Sequence, residues 1–214
     1  MKILLTGFDP FGGETINPSY EAVCRVPDTV AGTQIIKGKI PTSFAACGPV
    51  LEQMLQTYRP DAVLCVGQAG GRASAAVERV AINLMDARIP DNDGAQPIDR
   101  PICPDGPAAY FATVPVKAII QAVRAEGLPC DISYSAGTFV CNCLLYQALH
   151  IAATKMPGLR AGFIHLPYSE QQAVGKPEGT PCLPLKTMAD ILTCAIQAAA
   201  HATDSPHESM GTLF

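Results

Sequence analysis

Cys141 lies in Gly137-Thr138-Phe139-Val140-Cys141-Asn142, where a short strand signal ends and an apolar run of helical period begins. Backbone N–H groups at a helix start hold partial positive charge, which lowers a cysteine pKa and makes the sulfur nucleophilic near neutral pH. A nucleophile of this kind needs a base. His165 supplies a candidate, because Arg160-Ala161-Gly162-Phe163-Ile164-His165-Leu166-Pro167 reads as a core strand stopped by proline. Glu78 is the third member. In Ala76-Val77-Glu78-Arg79-Val80-Ala81-Ile82, strand alternation sets it on the face of Ala76, Val80 and Ile82, with Arg79 pointing the other way. A carboxylate on that face needs a partner from elsewhere, and an imidazole arriving across the strand ends answers the need. Glu78 would accept a hydrogen bond from one ring nitrogen of His165, fix the tautomer and stabilise the imidazolium. The three residues point to a cysteine hydrolase.

Each residue also has a plainer reading. A free cysteine is often only a small buried hydrophobe, and a core histidine can be satisfied by backbone groups and stay inert. Glu78 is equally readable as an exposed strand residue or as the partner of an arginine not yet located. Metal binding by Cys141, Cys143, His150 and His165 is disfavoured, because C-x-C lacks the usual two-residue gap and its side chains diverge on a helix. Gly67-Gln68-Ala69-Gly70-Gly71-Arg72 follows a strand, but it is neither G-x-G-x-x-G nor a P-loop. It reads as a tight turn that lets backbone approach a small ligand. Phe8 and Phe11, among the glycines of Gly7-Phe8-Asp9-Pro10-Phe11-Gly12-Gly13, either stack on a flat uncharged ring or cap the core. Asn17-Pro18 reads as a helix cap followed by a first helical residue.

The composition restricts the partners. Hydrophobic residues make up 48% of the 214 positions and charged residues only 16%, a balance that suggests further burial between subunits. The net charge of −4 comes without any basic stripe, which argues against nucleic acid, where phosphate neutralisation needs clustered Lys and Arg. Ile191 to Ala200 is interrupted by polar residues and is too short to span a bilayer. The apolar start Met1 to Thr6 ends within a few residues at Gly-Phe-Asp-Pro and reads as a first strand rather than an export signal. Nine cysteines, an odd number without framework spacing, indicate the reducing cytoplasm.

The elements that must position the three residues follow from periodicity. Apolar strand runs occur at Lys2 to Gly7, Thr33 to Ile40, Ala62 to Gly67, Ala75 to Leu84, Asp131 to Ser135 and Ala161 to Leu166. Helical stripes alternate with several of them. One is capped by Ser43 and carries Phe44, Cys47, Leu51, Met54, Leu55 and Tyr58; another runs from Val116 to Val123 after Pro115. Two more carry Leu144, Leu145, Ala148 and Leu149, and Met188, Ile191, Leu192, Ala195 and Ile196. The pattern predicts one α/β domain over residues 1–214, a three-layer α/β/α sandwich around a mixed, largely parallel sheet. Ligands of such sheets sit beyond the carboxyl ends of the strands. Met85 to Ala109, rich in Pro, Asp, Asn and Gly, predicts an irregular lid or oligomer contact, and 203–214 a frayed tail.

Together these segments resemble pyroglutamyl peptidase I, a family of cysteine peptidases. The matching blocks are Gly7 to Gly13 with Asn17-Pro18, Gly67 to Arg72, Glu78 to Asn83 leading into Asp86 to Asn92, Ala136 to Asn142, and Gly162 to Tyr168. The resemblance implies a Glu, Cys, His triad on Glu78, Cys141 and His165, reached above from spacing. It implies a pyroglutamyl pocket walled by Phe8 and Phe11 and lined by Gln68, Phe139 and Val140, with Asn17 among the binding residues and Arg88 near the oxyanion. It further implies a fold like that of purine nucleoside phosphorylases, pyroglutamyl peptides as substrates, no cofactor or metal, and a cytoplasmic homotetramer. Cys143, just past the motif, should face elsewhere. The competing functions are a different thiol amidase, a nucleoside phosphorylase relative, for which no basic phosphate cluster exists, and a non-enzymatic binding module.

Overall fold

The computed structural model describes residues 1–202 and 206–211. In chain order the elements are β1 (Lys2–Phe8), α1 (Pro18–Arg25), β2 (Thr29–Val30), β3 (Thr33–Ile40), α2 (Cys47–Tyr58) and β4 (Ala62–Gln68). They continue with β5 (Ala75–Glu78), β6 (Val80–Ile82), β7 (Ala109–Phe111), α3 (Val116–Ala125), β8 (Cys130–Ser133) and α4 (Val140–Thr154). The last are β9 (Arg160–Leu166), β10 (Tyr168–Ser169), α5 (Glu170–Ala173), β11 (Cys182–Leu183) and α6 (Leu185–His201).

Seven strands form one sheet in the order β2-β3-β1-β4-β9-β5-β8. β1, β3, β4 and β9 run parallel, β5 turns antiparallel to β9, and β8 is parallel to β5. Central strands such as Lys2–Phe8 read as nearly unbroken apolar runs because both sheet faces are covered. One face packs on α1, α3 and α6 through Val23, Ile119, Ile120, Ile191 and Leu192; the other packs on α2 and α4 through Leu51, Leu55, Leu144 and Leu145. This is the expected three-layer mixed α/β architecture.

Three local expectations change. The strand foreseen from Ala75 to Leu84 breaks at Arg79: β5 ends with Glu78 in the main sheet, and β6 pairs with β7 in a separate ribbon. The Arg79 N–H donates to Ser133 O and its carbonyl accepts from Ala112 N–H, which turns the chain out of the sheet. Glu78 therefore shares a face with Ala76 but not with Val80 or Ile82. Ser43 does not open α2, which starts at Cys47; its hydroxyl accepts from Ala46 N–H and caps the preceding turn, leaving Phe44 outside the helix. The Met85 to Ala109 segment is irregular as expected, yet closely pinned. Asp86 and Thr138 exchange hydrogen bonds, Asp91 accepts from Phe44 N–H, and Asn92 donates to Pro10 O.

Much of that pinning comes from one face of α4. Asn142 holds Ile82 and Leu84, Tyr146 donates to Pro107 O, and His150 meets the Tyr110 hydroxyl at 2.9 Å. The spacing of four residues stacks these groups along the helix. Of the expected frayed tail, 203–205 and 212–214 lie outside the described residues. Within 206–211, the Glu208 carbonyl accepts from Lys117 and Met210 packs against the core.

Candidate active site

The site is assembled at the carboxyl ends of β4 and β9, where α4 begins. In the sheet register His165 stands opposite Gly67 on one side and Ala76 on the other. Glu78 lies two residues beyond Ala76 on the same face, which is the diagonal position a side chain can reach across a strand pair. His165 Nδ1 is 2.7 Å from Glu78 Oε1. Both groups are withdrawn from solvent, with His165 4% and Glu78 0% exposed. Oε2 of Glu78 has no hydrogen-bond partner among the described residues, and Arg72 Nη1 stands 3.5 Å from Oε1.

Cys141 reaches the same face from above. A β-carbon on Gly67 would stand 2.9 Å from Cys141 Sγ and 2.7 Å from Phe163 Cζ. Register partners point to one face, so the sulfur occupies the space a residue-67 side chain would take beside the His165 ring. Phe163, two residues before His165, tilts against that ring with centroids 4.7 Å apart. Phe139 caps α4 without a side-chain hydrogen bond, so no side chain competes for the first amides of the helix around the sulfur.

The helix start does not by itself ionise the thiol. Burial pushes the Cys141 thiol up to about 12, the negative charge of Glu78 adds to this, and the residue's own backbone N–H pulls the other way. Burial of the sulfur and the helix terminus therefore act in opposite directions on this thiol. Desolvation is the larger of the two influences.

Cys143 faces away, as expected: its sulfur lies 3.1 Å from Gln147 Nε2 and 3.9 Å from Cys47 Sγ, between α4 and α2. His150 is engaged with Tyr110 and Cys103, so Cys141, Cys143, His150 and His165 do not gather. Among the described residues no group of three or more His, Cys, Asp or Glu is placed to hold a metal ion.

The residues expected to line a pocket divide into three kinds. Phe11 and Phe139 stand at 6.0 Å, and Phe44, expected in a helix stripe, meets Phe139 edge-on at 5.3 Å. These rings form an aromatic wall at the head of α4. Phe8 and Val140 are buried in the core, Phe8 at 6.4 Å from Phe163, so they back the site and present almost no surface. Asn17 is the cap foreseen at α1: it accepts from Ser19 N–H and donates to Asp9 O, fixing the loop that carries Phe11.

The Gln68 side chain takes a direction not anticipated. One residue past Gly67, it points to the opposite sheet face, where Gln172 Nε2 donates to its Oε1 at 3.0 Å. Gln172 is fixed in turn by a capping box with Ser169. Because Ala69 N–H bonds to Leu166 O, the backbone groups of Gln68 turn toward β1, where pairing has already ended at Thr6 and Cys65. The Gln68 side-chain amide is thus engaged with Gln172, while its peptide groups face the end of β1. The Arg88 side chain is exposed, two residues beyond the Asp86–Thr138 link. A cavity of about 540 Å³ borders Phe44, Met85, Pro97 and Ile98, and neither Cys141 nor His165 lines it.

Residues 1–202 match the family model described as pyroglutamyl peptidase. The chain belongs to the pyroglutamyl peptidase family. It is 54% identical over 204 residues to a pyrrolidone-carboxylate peptidase of Levilactobacillus brevis, covering 94% of this chain and 100% of that one. It is 51% identical over 211 residues to pyrrolidone-carboxylate peptidase 1 of Streptococcus pneumoniae serotype 4, covering 99% and 98%. The fold superposes on the crystal structure of pyroglutamyl peptidase I from Bacillus amyloliquefaciens with a TM-score of 0.94 at 44% identity, covering 97% and 99%. As a member of this pyroglutamyl peptidase family the chain is an enzyme of the cysteine peptidase class. No helix among its described residues is long and apolar enough to cross a membrane.

Proposed function

We propose that the enzyme removes an N-terminal pyroglutamyl residue from peptides by a Cys141, His165, Glu78 triad working through a thioester. The observation that carries this reading is the buried Glu78–His165 hydrogen bond of 2.7 Å on the sheet face where Cys141 Sγ fills the vacancy left by Gly67. His165 Nε2 takes the thiol proton as sulfur attacks the pyroglutamyl carbonyl. The oxyanion meets the free Cys141 N–H, with Arg88 as the second donor. His165 then protonates the leaving amine, and water activated by the same imidazole hydrolyses the thioester and frees pyroglutamate.

Specificity follows from an uncharged site. Phe11 and Phe139 flank the lactam ring, Phe8 and Val140 close the floor behind it, and the turned backbone groups of Gln68 serve its N–H and C=O. A charged free N-terminus would lose hydration there without gaining a partner. The experiment is release of the amine from a chromogenic pyroglutamyl amide, with the matching prolyl amide as control. Turnover of the first alone, blocked by a thiol reagent and absent in Cys141→Ser, is the expected result; turnover without Cys141 defeats the reading.

The chain acts as one domain and assembles as a cytoplasmic homotetramer in this proposal. Its apolar composition and exposed Ile98 and Val174 support burial between copies. Light scattering should give four times the 22.5 kDa chain mass, and cell fractionation should recover the activity with the cytosol.

A further inference from the structure

Glu78 brings a carboxylate into the protein with no solvent contact, and a buried charge of this kind requires a compensating cation. His165 supplies one only when protonated, which a general base at its working pH is not. The adjacent Arg79 is unavailable, since its guanidinium lies over the Phe111 ring, 5.1 Å from the centroid. The permanent positive charge comes instead from Arg72, which closes the Gly67 to Arg72 turn and whose side chain the catalytic reading leaves unused. Gly71 holds a φ of +88°, a backbone conformation that suits glycine and reverses the chain there. From this turn Arg72 Nη1 reaches within 3.5 Å of Glu78 Oε1, and Nη2 reaches 3.4 Å from the hydroxyl of Ser133. Ser133 is the register partner of Glu78 on β8, so the guanidinium spans the ends of both strands.

We propose that Arg72 is a positioning residue that keeps Glu78 ionised and His165 unprotonated at working pH. The inference rests on the reading of Glu78 and His165 as parts of the Cys141 site. The groups facing Glu78 are His165 from β9, Arg72 from the β4–β5 turn, Ser133 from β8 and Cys141 from α4, whose thiol is raised by the Glu78 charge. Of these only Arg72 carries a charge that does not titrate in the physiological range. A proton added to either His165 or Glu78 is repelled by it. Removing the guanidinium therefore favours both protonations and moves the acid limb of kcat/KM toward higher pH.

The experiment compares wild type, Arg72→Met and Arg72→Lys on a pyroglutamyl amide across pH. The acid limb of Arg72→Met should rise by about 0.5 to 1 unit, a modest shift because Arg72 is partly exposed. Arg72→Lys should restore most of it. In parallel, carbon-13 labelled histidine rings are titrated by NMR in the Cys141→Ala protein with and without Arg72→Met, where His165 is one of four histidines to resolve. Its midpoint should rise by the same amount. An unmoved limb together with an unmoved ring titration overturns the role of Arg72. Wild type inactive on the amide would defeat the proposed function instead, while the ring titration still decides whether Arg72 acts on His165.

Discussion

Gly67 and Cys141 cannot both carry a side chain of ordinary size, because a β-carbon on the first would stand 2.9 Å from the sulfur of the second. The same β-carbon would meet Phe163 Cζ at 2.7 Å. Gly67→Ala should therefore displace the sulfur from the face it shares with His165. An error of about 1 Å in such a pair costs on the order of 10²-fold in rate. Steady-state kinetics on a pyroglutamyl amide, with a thermal melt to separate misplacement from unfolding, measures the effect. Wild-type kcat in Gly67→Ala would refute the packing argument.

Exchanging the two neighbouring thiols in turn should give opposite results. Cys141→Ser is expected to leave a folded protein without measurable turnover. Cys143→Ser should keep near-normal kcat and lose stability, because a hydroxyl would replace the sulfur between Cys47 and Gln147 at a position only 1% exposed. The cost is about 1–2 kcal/mol by analogy with other buried polar substitutions. Urea unfolding monitored by circular dichroism reads the second effect.

Glu78→Gln should lower kcat on the order of 10²-fold while folding persists. A Gln amide turned to donate toward His165 Nδ1 favours the wrong tautomer, yet the imidazole and the amides at the start of α4 remain. Single-turnover acylation rates test this. A rate equal to wild type would leave Glu78 a purely structural residue.

Alkaline stability should fall with a slope set by buried thiols. Burial pushes Cys65 and Cys130 up to about 12 from an ordinary value of 9.0. Between those values the unfolded chain has released the proton and the folded chain still holds it, so stability declines as pH rises from 9 toward 12. Below pH 9 both states are protonated and the contribution is constant. Each thiol contributes a loss of about 1.4 kcal/mol per pH unit in that window. Cys65→Ala should flatten the slope of the unfolding free energy from urea melts against pH by one such increment, whatever it does to stability at neutral pH.

Most of this was legible in the residues. Continuous apolar runs at Lys2 to Gly7 and Ala161 to Leu166 announced strands covered on both faces, and the stripes of α3, α4 and α6 lie where periodicity put them. The convergence of Glu78, Cys141 and His165 was foreshadowed by their places at strand and helix ends, though no local pattern encodes which strands become neighbours. The readings that changed depend on such long-range pairing. The break at Arg79 comes from Ser133 and Ala112, and the direction of Gln68 from alternation after Gly67 and from Gln172, 104 residues away. Phe44 lies in the turn before α2, its N–H taken by Asp91. At Cys141, helix-end electrostatics is visible in sequence, whereas the desolvation that raises its thiol is not. Arg72 carries a visible signal, a lone cation after a glycine turn at the end of a core strand.

The three rungs Asn142, Tyr146 and His150 give the helix bearing the nucleophile a second task, as the post to which the long excursion between β6 and β7 is moored. Loosening that excursion anywhere between Ile82 and Tyr110 should be felt at residue 141 without any contact to it. Amide exchange in both segments should then proceed as a single opening event, with the chemistry silenced for as long as the mooring is undone.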